Sequence, residues 1–453
     1  MSDALVFFGA TGDLAYKMIF PALQSMIRHG HLDVPIIGVA KAGWGVEQLR
    51  QRAHDSLSEH GPVDDEAFAK LVSLLDYVDG DYAEPATFDE LAARLKGAQH
   101  PLHYLAIPPS LFPVVVDELA RSGCAKGARI VVEKPFGRDL ASAQALNKTI
   151  HAVFAEEDVF RIDHYLGKEA VQGLFVFRFA NRLFEPVWNR EHVRSVQITM
   201  AEKFGVAGRG SLYDSLGAIR DVVQNHLLEV LALLTMDAPD SAGHTEIREK
   251  TAALLERVKP LSANAIVRGQ FRGYLDEQGV KPRSNVETFA ALHLEIDSER
   301  WRGVPFLIRT GKKLPVSCTE ILVELRSPPI AEFENDTGDL VRLRLSPDLE
   351  IALTTQHKKP GEAMEAEPVE MSFVQRPDGV EMTAYERLLG DAMHGDPTLF
   401  AHQRAVEAAW TIVDGVLDMK TPVIVYEPDT WGPSQAEALA EPVGGWHDPE
   451  VQP

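Results

Sequence analysis

Cysteine is scarce in this sequence, because the 453 residues include only Cys124 and Cys318. Two widely separated cysteines are too few for a disulfide framework or a four-ligand zinc site, and they favour a reducing compartment such as the cytoplasm. No stretch of about 18 uninterrupted apolar residues occurs, which argues against a membrane-spanning helix. The start of the chain lacks a basic segment before its first apolar run, so we expect no signal peptide.

Positively charged residues are also scarce relative to negatively charged ones. The 45 Lys and Arg residues stand against 67 Asp and Glu residues, which gives a formal net charge of −22. An acidic surface repels nucleic acid and anionic membranes, so we expect neither as a partner. Any anionic ligand must be bound by a local cluster of cations. The length of the chain suggests two domains or three.

The first 163 residues alternate short β-rich runs with helical patterns. The clearest predicted strands are ALVFF (4–8), PIIGVA (35–40), LHYLAI (102–107), RIVVE (129–133) and VFRI (159–162). Apolar residues recur at helical spacing in the segments 13–28, 46–59, 110–122 and 139–154. This alternation predicts a parallel, doubly wound sheet.

After about residue 190 the sequence changes to longer alternating strands. They are VRSVQITMAEK, NAIVRGQFRGY, ETFAALHLEI, TEILVELRS, LVRLRLS and LEIALTTQ. This pattern predicts one large, mostly antiparallel sheet with helices on one face. The sequence therefore predicts two domains, residues 1–163 and 164–453.

The first predicted strand leads into a phosphate-type turn, VFFGATGDLAYK. Gly9 would permit a tight turn, Gly12 a close approach of a pyrophosphate, and Ala15 close packing of helix on strand. The spacing differs from G-x-G-x-x-G, so a strand–helix turn without a ligand is the alternative. The position of the turn in a strand–helix series favours a dinucleotide.

The loop after the second predicted strand carries Lys41, and no acid follows before Glu47. An NAD site would place a carboxylate here for the ribose 2′-hydroxyl, whereas a cation suits the 2′-phosphate of NADP. The loop therefore predicts NADP. A solvated surface lysine is the alternative.

Other unusual polar residues also follow predicted strands. Lys134 follows one strand in EKPFG, and RIDHYLGKEAV (161–171) follows another. Ligands of open parallel sheets bind outside the carboxyl ends of the strands, so we expect these residues at one site. Lys134 could instead be a structural cation that pairs with Glu133.

RIDHYLGKEAV gathers an acid, an imidazole, a phenol and a lysine. Asp163 ends the strand, and Lys168 begins a predicted helix. His164 and Lys168, together with free backbone N–H groups, would form a phosphate pocket. An ordinary surface turn is the alternative.

A second polar group interrupts the apolar helical segment 212–236 with Asp221, Gln224, Asn225 and His226. Burying these side chains without partners would cost several kcal/mol, so they must form a network or contact a ligand. On an ideal 3.6-residue helix, His226 lies about 140° around from Asp221. We therefore expect the carboxylate partner of His226 from elsewhere, with Asp163 as the candidate. A buried structural histidine is the alternative.

Ten segments resemble the glucose-6-phosphate dehydrogenase family, in the family's order and over almost the whole chain. They are GATGDLAYK, YLAIPPSLF, RIVVEKPFGRDL, RIDHYLGKEAVQ, RFANRLFEPVWNR, EKFGVAGRGSLYD, IRDVVQNHLL, VRGQFRGY, FLIRTGKKL and LLGDAMHGDPTLF. The resemblance implies an N-terminal Rossmann domain and a C-terminal β+α domain with a large antiparallel sheet, through which homodimers or dimer-based tetramers form.

The resemblance also implies a reaction. D-glucose 6-phosphate would be oxidised to 6-phosphoglucono-1,5-lactone with hydride transfer to NADP, in the cytoplasm and without a metal ion. This reaction is the first step of the oxidative pentose phosphate pathway.

The resemblance assigns roles residue by residue. His226 is the expected general base, and Asp163 is the carboxylate that orients it. The expected substrate-binding residues are His164, Tyr165, Lys168, Glu202, Asp221, Lys134 and Lys312. The expected cofactor-binding residues are Gly9, Thr11, Gly12, Asp13, Leu14, Lys41, Pro108 and Lys134.

Two residues depart from the family pattern. Ser317 stands where Lys or Arg is frequent, so one substrate-side cation is missing. Lys41 stands where Arg is frequent and offers no planar guanidinium, so NAD could also be used. Another sugar oxidoreductase with an EKP motif and a non-catalytic NADP or sugar-phosphate sensor are the rival functions. The presence of both Asp163 and His226 argues against the sensor.

Overall fold

The structure is a computed structural model that describes residues 1–330, 333, 338–375, 382–419 and 421–450. The chain divides into two compact units. Unit 1 comprises residues 1–169, 239–249 and 381–407, and unit 2 comprises residues 170–238, 250–380 and 408–453. The chain thus contributes three separate stretches to unit 1. The division into domains 1–163 and 164–453 stays a prediction.

Unit 1 contains a six-stranded parallel sheet, as predicted. Its strands are β1 (Ala4–Phe8), β2 (Ile36–Ala40), β3 (Leu75–Asp79), β4 (Pro101–Leu105), β5 (Arg129–Glu133) and β6 (Val159–Ile162). Their spatial order is β3-β2-β1-β4-β5-β6, the order of doubly wound dinucleotide-binding folds. Every residue of β1, β2 and β4 is buried, as expected for a sheet covered on both faces.

In the part of the chain that the structure describes, helices alternate with the strands of unit 1 and are more widely spaced along the rest of the sequence. They are α1 (Phe20–Arg28), α2 (Val46–His60), α3 (Asp65–Leu74), α4 (Pro85–Arg94), α5 (Phe112–Ser122), α6 (Leu140–His151), α7 (Glu169–Ala180), α8 (Gly210–Tyr213), α9 (Leu228–Thr235), α10 (His244–Leu255), α11 (Ala384–His394), α12 (Gln403–Leu417) and α13 (Glu437–Ala440).

Two segments, Ala15–Ile19 and Ile219–Leu227, are π-helical and run directly into α1 and α9. Short 3₁₀ turns occupy Pro109–Leu111, Glu156–Asp158, Glu185–Val187, Ala263–Ala265, Tyr274–Asp276, Ser434–Ala436 and Glu441–Val443. Within the described ranges, no helix is both long enough and apolar enough to span a lipid bilayer.

Unit 2 contains a nine-stranded, mostly antiparallel sheet, which confirms the second fold prediction. Its strands are β7 (Val193–Glu202), β8 (Ile266–Phe271), β9 (Phe289–Leu294), β10 (Phe306–Lys312), β11 (Cys318–Leu325), β12 (Leu340–Ser346), β13 (Leu349–Lys358), β14 (Ala366–Gln375) and β15 (Ile424–Tyr426). Their spatial order is β14-β13-β12-β11-β7-β10-β9-β8-β15. The pairs β7–β10 and β8–β15 are parallel, and the other six pairs are antiparallel.

Candidate functional site

The turn after β1 has the predicted tight geometry. Gly9 has a φ of +82°, and a Cβ atom there would lie 2.2 Å from the carbonyl oxygen of Ala106. Glycine is therefore required at this position. The N–H of Gly12 donates to the carbonyl of Gly9 at 2.9 Å, and Ala15, at the first helical position, is fully buried. Thr11 and Leu14 on this turn are partly exposed, and Asp13 is exposed.

Lys41 lies where the sequence predicts it, directly after β2, and it forms an ion pair. Its Nζ atom is 2.7 Å from Oδ2 of Asp81, and both side chains are exposed. The hydrogen bond to Asp81 raises the pKa of Lys41. A phosphate that binds Lys41 must therefore compete with the carboxylate of Asp81.

A second acid also contacts this loop. Oδ1 of Asp79 accepts hydrogen bonds from the N–H groups of Ala42 at 2.9 Å, Gly43 at 2.8 Å and Trp44 at 3.3 Å. The bond from Ala42 is the largest contribution that lowers the pKa of Asp79. The loop itself has no acid before Glu47. Two acids from another segment contact it, namely Asp79 at the end of β3 and Asp81 two residues later.

The carboxyl end of β4 leads into Pro108, whose carbonyl accepts a hydrogen bond from Leu111 at 2.9 Å and begins a 3₁₀ turn. The neighbouring strand β5 ends in Glu133, which is followed by Lys134. Glu133 is buried, and the hydroxyl of Tyr104 donates to its Oε1 atom. Lys134 thus follows a carboxyl group that also accepts a hydrogen bond from a tyrosine.

The environment of Glu133 changes its acidity. Burial raises the pKa of its carboxyl to about 7, and hydrogen bonds from Tyr104 and Tyr385 partly oppose this rise. Lys134 also lowers the pKa, whereas the charge of Asp163 raises it. Glu133 therefore titrates near neutrality at the same sheet edge as Asp163.

Residues 163–168 form the predicted turn after β6. Asp163 is almost fully buried, its Oδ1 atom accepts the N–H of Tyr165 at 2.9 Å, and its carbonyl accepts the N–H of Leu166 at 3.0 Å. The Nζ atom of Lys168 lies 4.0 Å from the centre of the Tyr165 ring. The ring of His164 packs edge-on to that of Tyr165, with centroids 6.2 Å apart. The turn therefore holds these polar side chains in one compact group, and α7 begins one residue after Lys168.

In unit 2, two predicted sugar-binding residues form an ion pair. Glu202 ends β7 and Lys312 ends β10, and the parallel pairing of these strands places the two residues side by side. The Nζ atom of Lys312 contacts Oε2 of Glu202. It also lies 4.9 Å from the ring centre of Phe204 and 5.4 Å from that of Tyr213.

Asp221 belongs to the same group of unit 2. Burial raises the pKa of the Tyr213 hydroxyl well above its usual range, and the charges of Asp221 and Glu202 add to this rise. The structure thus brings Glu202, Lys312 and Asp221 around one buried tyrosine, which the sequence analysis did not single out.

His226 is buried on the π-helical segment Ile219–Leu227. The main-chain N–H of His226 donates to Oδ1 of Asn225 at 2.7 Å, and Nδ2 of Asn225 donates to the carbonyl of Arg220 at 3.3 Å. The expected angle of about 140° between Asp221 and His226 assumed an ideal α-helix. That assumption is wrong, because i→i+5 bonding brings residues five positions apart close to the same face.

Ser317, the departure on the substrate side, lies exposed just before β11. Its Oγ atom accepts the N–H of Lys203 at 2.9 Å. The side chain therefore satisfies a main-chain group at the end of β7. It does not supply the cation that is frequent at this position in the family.

The sequence analysis missed Asp79, Asp81 and Tyr213. Asp79 ends β3 and Asp81 follows two residues later; this strand was not predicted, and its position beside β2 is what brings the two acids to the loop of Lys41. Glu133 was noted only as a possible partner of Lys134. Its position at the end of a strand that is otherwise apolar was the signal that it would be buried.

The residues after β1 and β2 fit a dinucleotide with a 2′-phosphate. The Gly9–Gly12 turn leads into a helix through the buried Ala15, an arrangement that suits a pyrophosphate. Lys41 offers a cation at the ribose end, and the charge of Asp79 is already directed to main-chain N–H groups. These contacts leave Lys41 as the loop group suited to a phosphate.

Comparisons with known proteins agree over the full length. The family model for "Glucose-6-phosphate dehydrogenase, NAD binding domain" matches residues 6–173, and that for "Glucose-6-phosphate dehydrogenase, C-terminal domain" matches residues 175–447. The chain is 41% identical to Glucose-6-phosphate 1-dehydrogenase 1 of Mycobacterium tuberculosis (strain CDC 1551 / Oshkosh) over 456 residues, covering 99% of this chain and 97% of the relative.

Two solved structures are similar to this chain. The crystal structure of glucose-6-phosphate 1-dehydrogenase from Mycobacterium avium superposes with a TM-score of 0.93 at 40% identity and covers 100% of both chains. A glucose-6-phosphate dehydrogenase in complex with its substrate glucose-6-phosphate superposes with a TM-score of 0.91 at 33% identity and covers 99% of both chains. On the strength of these full-length matches, the chain belongs to the glucose-6-phosphate dehydrogenase family.

Proposed function

We propose that this protein oxidises D-glucose 6-phosphate to 6-phosphoglucono-1,5-lactone with hydride transfer to NADP, the first step of the oxidative pentose phosphate pathway. The observation that carries the proposal is the 41% identity to a curated glucose-6-phosphate 1-dehydrogenase over 99% of the chain. We place the reaction in the cytoplasm, where the buried free thiols of Cys124 and Cys318 would stay reduced.

His226 is the proposed general base, which removes the proton of the C1 hydroxyl while hydride leaves C1. Bound NADP supplies the hydride acceptor. An imidazole suits this task because its ordinary pKa of about 6.5 lies near the working pH. Asp163 is the proposed orienting carboxylate, which would fix the tautomer of the imidazole and stabilise the imidazolium that forms.

The turn at residues 163–168 is the proposed phosphate-binding element. His164, Tyr165 and Lys168 project from one short turn, and the packing of Lys168 on the Tyr165 ring limits the positions of its ammonium group. A charge-assisted contact to the substrate phosphate would hold the far end of the sugar and thereby orient C1. In a chain with a net charge of −22, such a local cation is needed to bind an anion.

Glu202, Asp221 and Lys312 are the proposed hydroxyl-binding residues, and Lys134 is proposed to contact both sugar and cofactor. The ion pair between Glu202 and Lys312 fixes both side chains at the ends of adjacent strands. A carboxylate fixed in this way can accept a hydrogen bond from a sugar hydroxyl at little further entropic cost. Gly9, Thr11, Gly12, Asp13, Leu14, Lys41 and Pro108 complete the proposed cofactor site.

The test is an assay of absorbance at 340 nm with glucose 6-phosphate and either NADP or NAD. We expect turnover with the phosphorylated sugar and much less with glucose or inositol. Turnover of an unphosphorylated sugar at equal efficiency would favour the broader sugar oxidoreductases. Binding of NADP and glucose 6-phosphate without turnover would favour a sensor.

His226→Asn tests the proposed base. We expect kcat to fall by roughly 10²–10⁴-fold while glucose 6-phosphate still binds, because general base catalysis contributes about this much. His192→Asn is the matched control, since His192 is an exposed histidine of the same unit, and it should keep full activity. Near-normal turnover of folded His226→Asn would eliminate His226 as the base.

A further inference from the structure

Two histidines lie at the C-terminal end of α1, in unit 1. His29 is the C-cap residue, Gly30 has a φ of +74°, and His31 follows. The N–H of His31 donates to the carbonyl of Met26 at 2.8 Å, and the N–H of Gly30 donates to that of Ile27 at 3.0 Å. This pair of bonds is a Schellman motif. It fixes the backbone on both sides of the glycine, so the two imidazoles project from a defined turn.

A buried carboxylate faces these histidines. Glu386 lies in the first turn of α11, where its N–H donates to Oγ1 of the N-cap residue Thr383 at 3.2 Å. The side chain of Glu386 is 1% exposed, and its Oε1 atom lies 2.6 Å from Nδ1 of His29. The hydroxyl of Ser25 donates to Oε2 at 2.7 Å. The cap and the serine therefore hold the carboxylate in place.

The three side chains converge on one point. One ligand atom each from His29, His31 and Glu386 lies within 4.8 Å of the other two. The ring centroids of the two histidines are 6.0 Å apart, and both residues are exposed on their other side. Among the described residues, the His31 ring has no hydrogen-bond or ion-pair partner, so its unprotonated nitrogen can donate a lone pair to a metal ion.

We propose that His29, His31 and Glu386 form a binding site for a divalent transition-metal ion such as Zn²⁺, which lies outside the machinery of the proposed reaction. Two imidazoles and one carboxylate are ligands that suit Zn²⁺, and water would complete a tetrahedral set. With tetrahedral bonds of about 2.0–2.1 Å, neighbouring ligand atoms stand roughly 3.3 Å apart. The ion would replace the proton shared by His29 and Glu386, whose atoms are 2.6 Å apart, and these two atoms would separate by roughly 0.7 Å to hold it. Rotation of the exposed His31 side chain would bring the third ligand atom into place.

The arrangement is more than a chance ion pair, because a second side chain also holds the Glu386 carboxylate. Ser25 contacts the oxygen of Glu386 that His29 does not, which orients the carboxylate in the way that second-shell groups orient metal ligands. The bound ion would link α1 to α11 within unit 1. We therefore expect the site to stabilise this unit, with no role in hydride transfer.

The experiment is isothermal titration calorimetry of the full-length, untagged and metal-stripped protein with ZnCl₂. A parallel titration with CoCl₂ is followed by visible absorption spectroscopy. We expect one ion per chain at this site and cobalt absorption bands typical of nitrogen and oxygen ligands. His31→Ala should weaken binding at least about tenfold. His54→Ala is the matched control, because His54 is exposed on α2 with an ion-pair contact to Asp55 of 3.9 Å. It should leave binding unchanged.

A thermal melt gives a second readout that is independent of activity. Zn²⁺ should raise the Tm of the wild type and of His54→Ala, because a ligand that binds the folded state stabilises it. It should not raise the Tm of His31→Ala, which changes an exposed side chain and should fold normally. Equal affinity in His31→Ala and the wild type, or the absence of a stoichiometric site, would overturn the proposal. Neither result would affect the proposed dehydrogenase activity, which is assayed without added metal.

Discussion

Glu133 is a carboxyl of unit 1 whose pKa lies close to neutral pH. Its folded-state pKa of about 7 lies above the ordinary value of 4.5, chiefly because the carboxyl is buried. Between these two values the folded protein holds a proton that the unfolded chain has lost. Stability from this group is therefore present below pH 4.5 and decreases as the pH rises through 7.

Replacement of Glu133 by Gln should remove this pH dependence. The rise of the pKa from 4.5 to about 7 corresponds to roughly 3 kcal/mol. The wild type should lose stability relative to Glu133→Gln as the pH rises from 5 to about 8, as measured by the difference in Tm between the two proteins. A constant difference over this range would show that the Glu133 carboxyl does not titrate there. Asp391→Asn provides a comparison, since burial raises the pKa of that carboxyl to about 6.

Lys41 and Asp81 should together set the preference between NADP and NAD. The ion pair between them means that a 2′-phosphate must share Lys41 with a carboxylate. Asp81→Asn should therefore raise the ratio of kcat/KM for NADP to that for NAD by several-fold. Lys41→Arg should also raise it, because a guanidinium can bind phosphate with two hydrogen bonds. Lys41→Asp should reverse the order.

The control for this series is Lys17→Asp, which makes the same lysine-to-aspartate change at an exposed position of the segment Ala15–Ile19. Lys17 carries no proposed contact to the 2′-phosphate. If the wild type prefers NAD, or if Lys41→Asp leaves the ratio at its original value, Lys41 is only a solvated loop charge.

At the scale of secondary structure, the turn after β1 allows a test that separates folding from cofactor binding. A Cβ at Gly9 would lie 2.2 Å from a backbone oxygen at a positive φ, whereas the nearest atom to a Cβ at Gly12 is the Gly9 carbonyl at 3.1 Å. Gly9→Ala should destabilise the protein by roughly 2–5 kcal/mol. Gly12→Ala should fold with a similar Tm to the wild type but raise the KM for NADP.

The two measurements are a thermal melt and steady-state kinetics on each variant. An unchanged Tm for Gly9→Ala would show that β1 and the Ala106 segment can separate at low cost. An unchanged KM for Gly12→Ala would show that no pyrophosphate approaches this position closely.

The elements that the sequence predicted correctly are those with a clear hydrophobic pattern. Strands β1, β2, β5 and β6 are short apolar runs between helical patterns, and β12 alternates with period 2. β3 was missed because Asp76 and Asp79 interrupt its apolar run. β10 was missed because its apolar run covers only residues 306–308, and the polar Arg309, Thr310 and Lys312 are buried in the same strand.

The residues of the candidate site were likewise predictable only in part from the sequence. Residues 163–168 could be assigned as one turn because they are adjacent in sequence. The group of Glu202, Lys312 and Tyr213 depends on the pairing of β7 with β10. This pairing brings together residues that are more than a hundred positions apart in sequence. The π-helical bonding around His226 has no simple sequence signal. The orientation of its side chain relative to Asp221 therefore could not be read from an ideal helix.

At the scale of the whole molecule, the exposed apolar side chains of β14 bear on assembly. We propose a homodimer, or a tetramer built from dimers, that forms through the sheet of unit 2. Strand β14 supports this proposal, because Val369, Met371, Phe373 and Val374 are exposed on it by 39%, 55%, 61% and 42%. Val369, Met371 and Phe373 alternate along the strand and so share one face. Exposed apolar patches of this kind are typical of interfaces between subunits.

Two charged substitutions test this face. Light scattering after size-exclusion chromatography should give the wild type a mass of about 100 kDa, twice the chain mass of 50.0 kDa, or about twice that again for a tetramer. Met371→Glu and Phe373→Glu should shift the mass towards a single chain, because a carboxylate at the centre of an apolar interface is costly to bury. Ser372→Glu adds the same charge between them on the opposite face and should leave the mass unchanged. A monomeric wild type, or equal masses for all three variants, would rule out assembly through this face of β14.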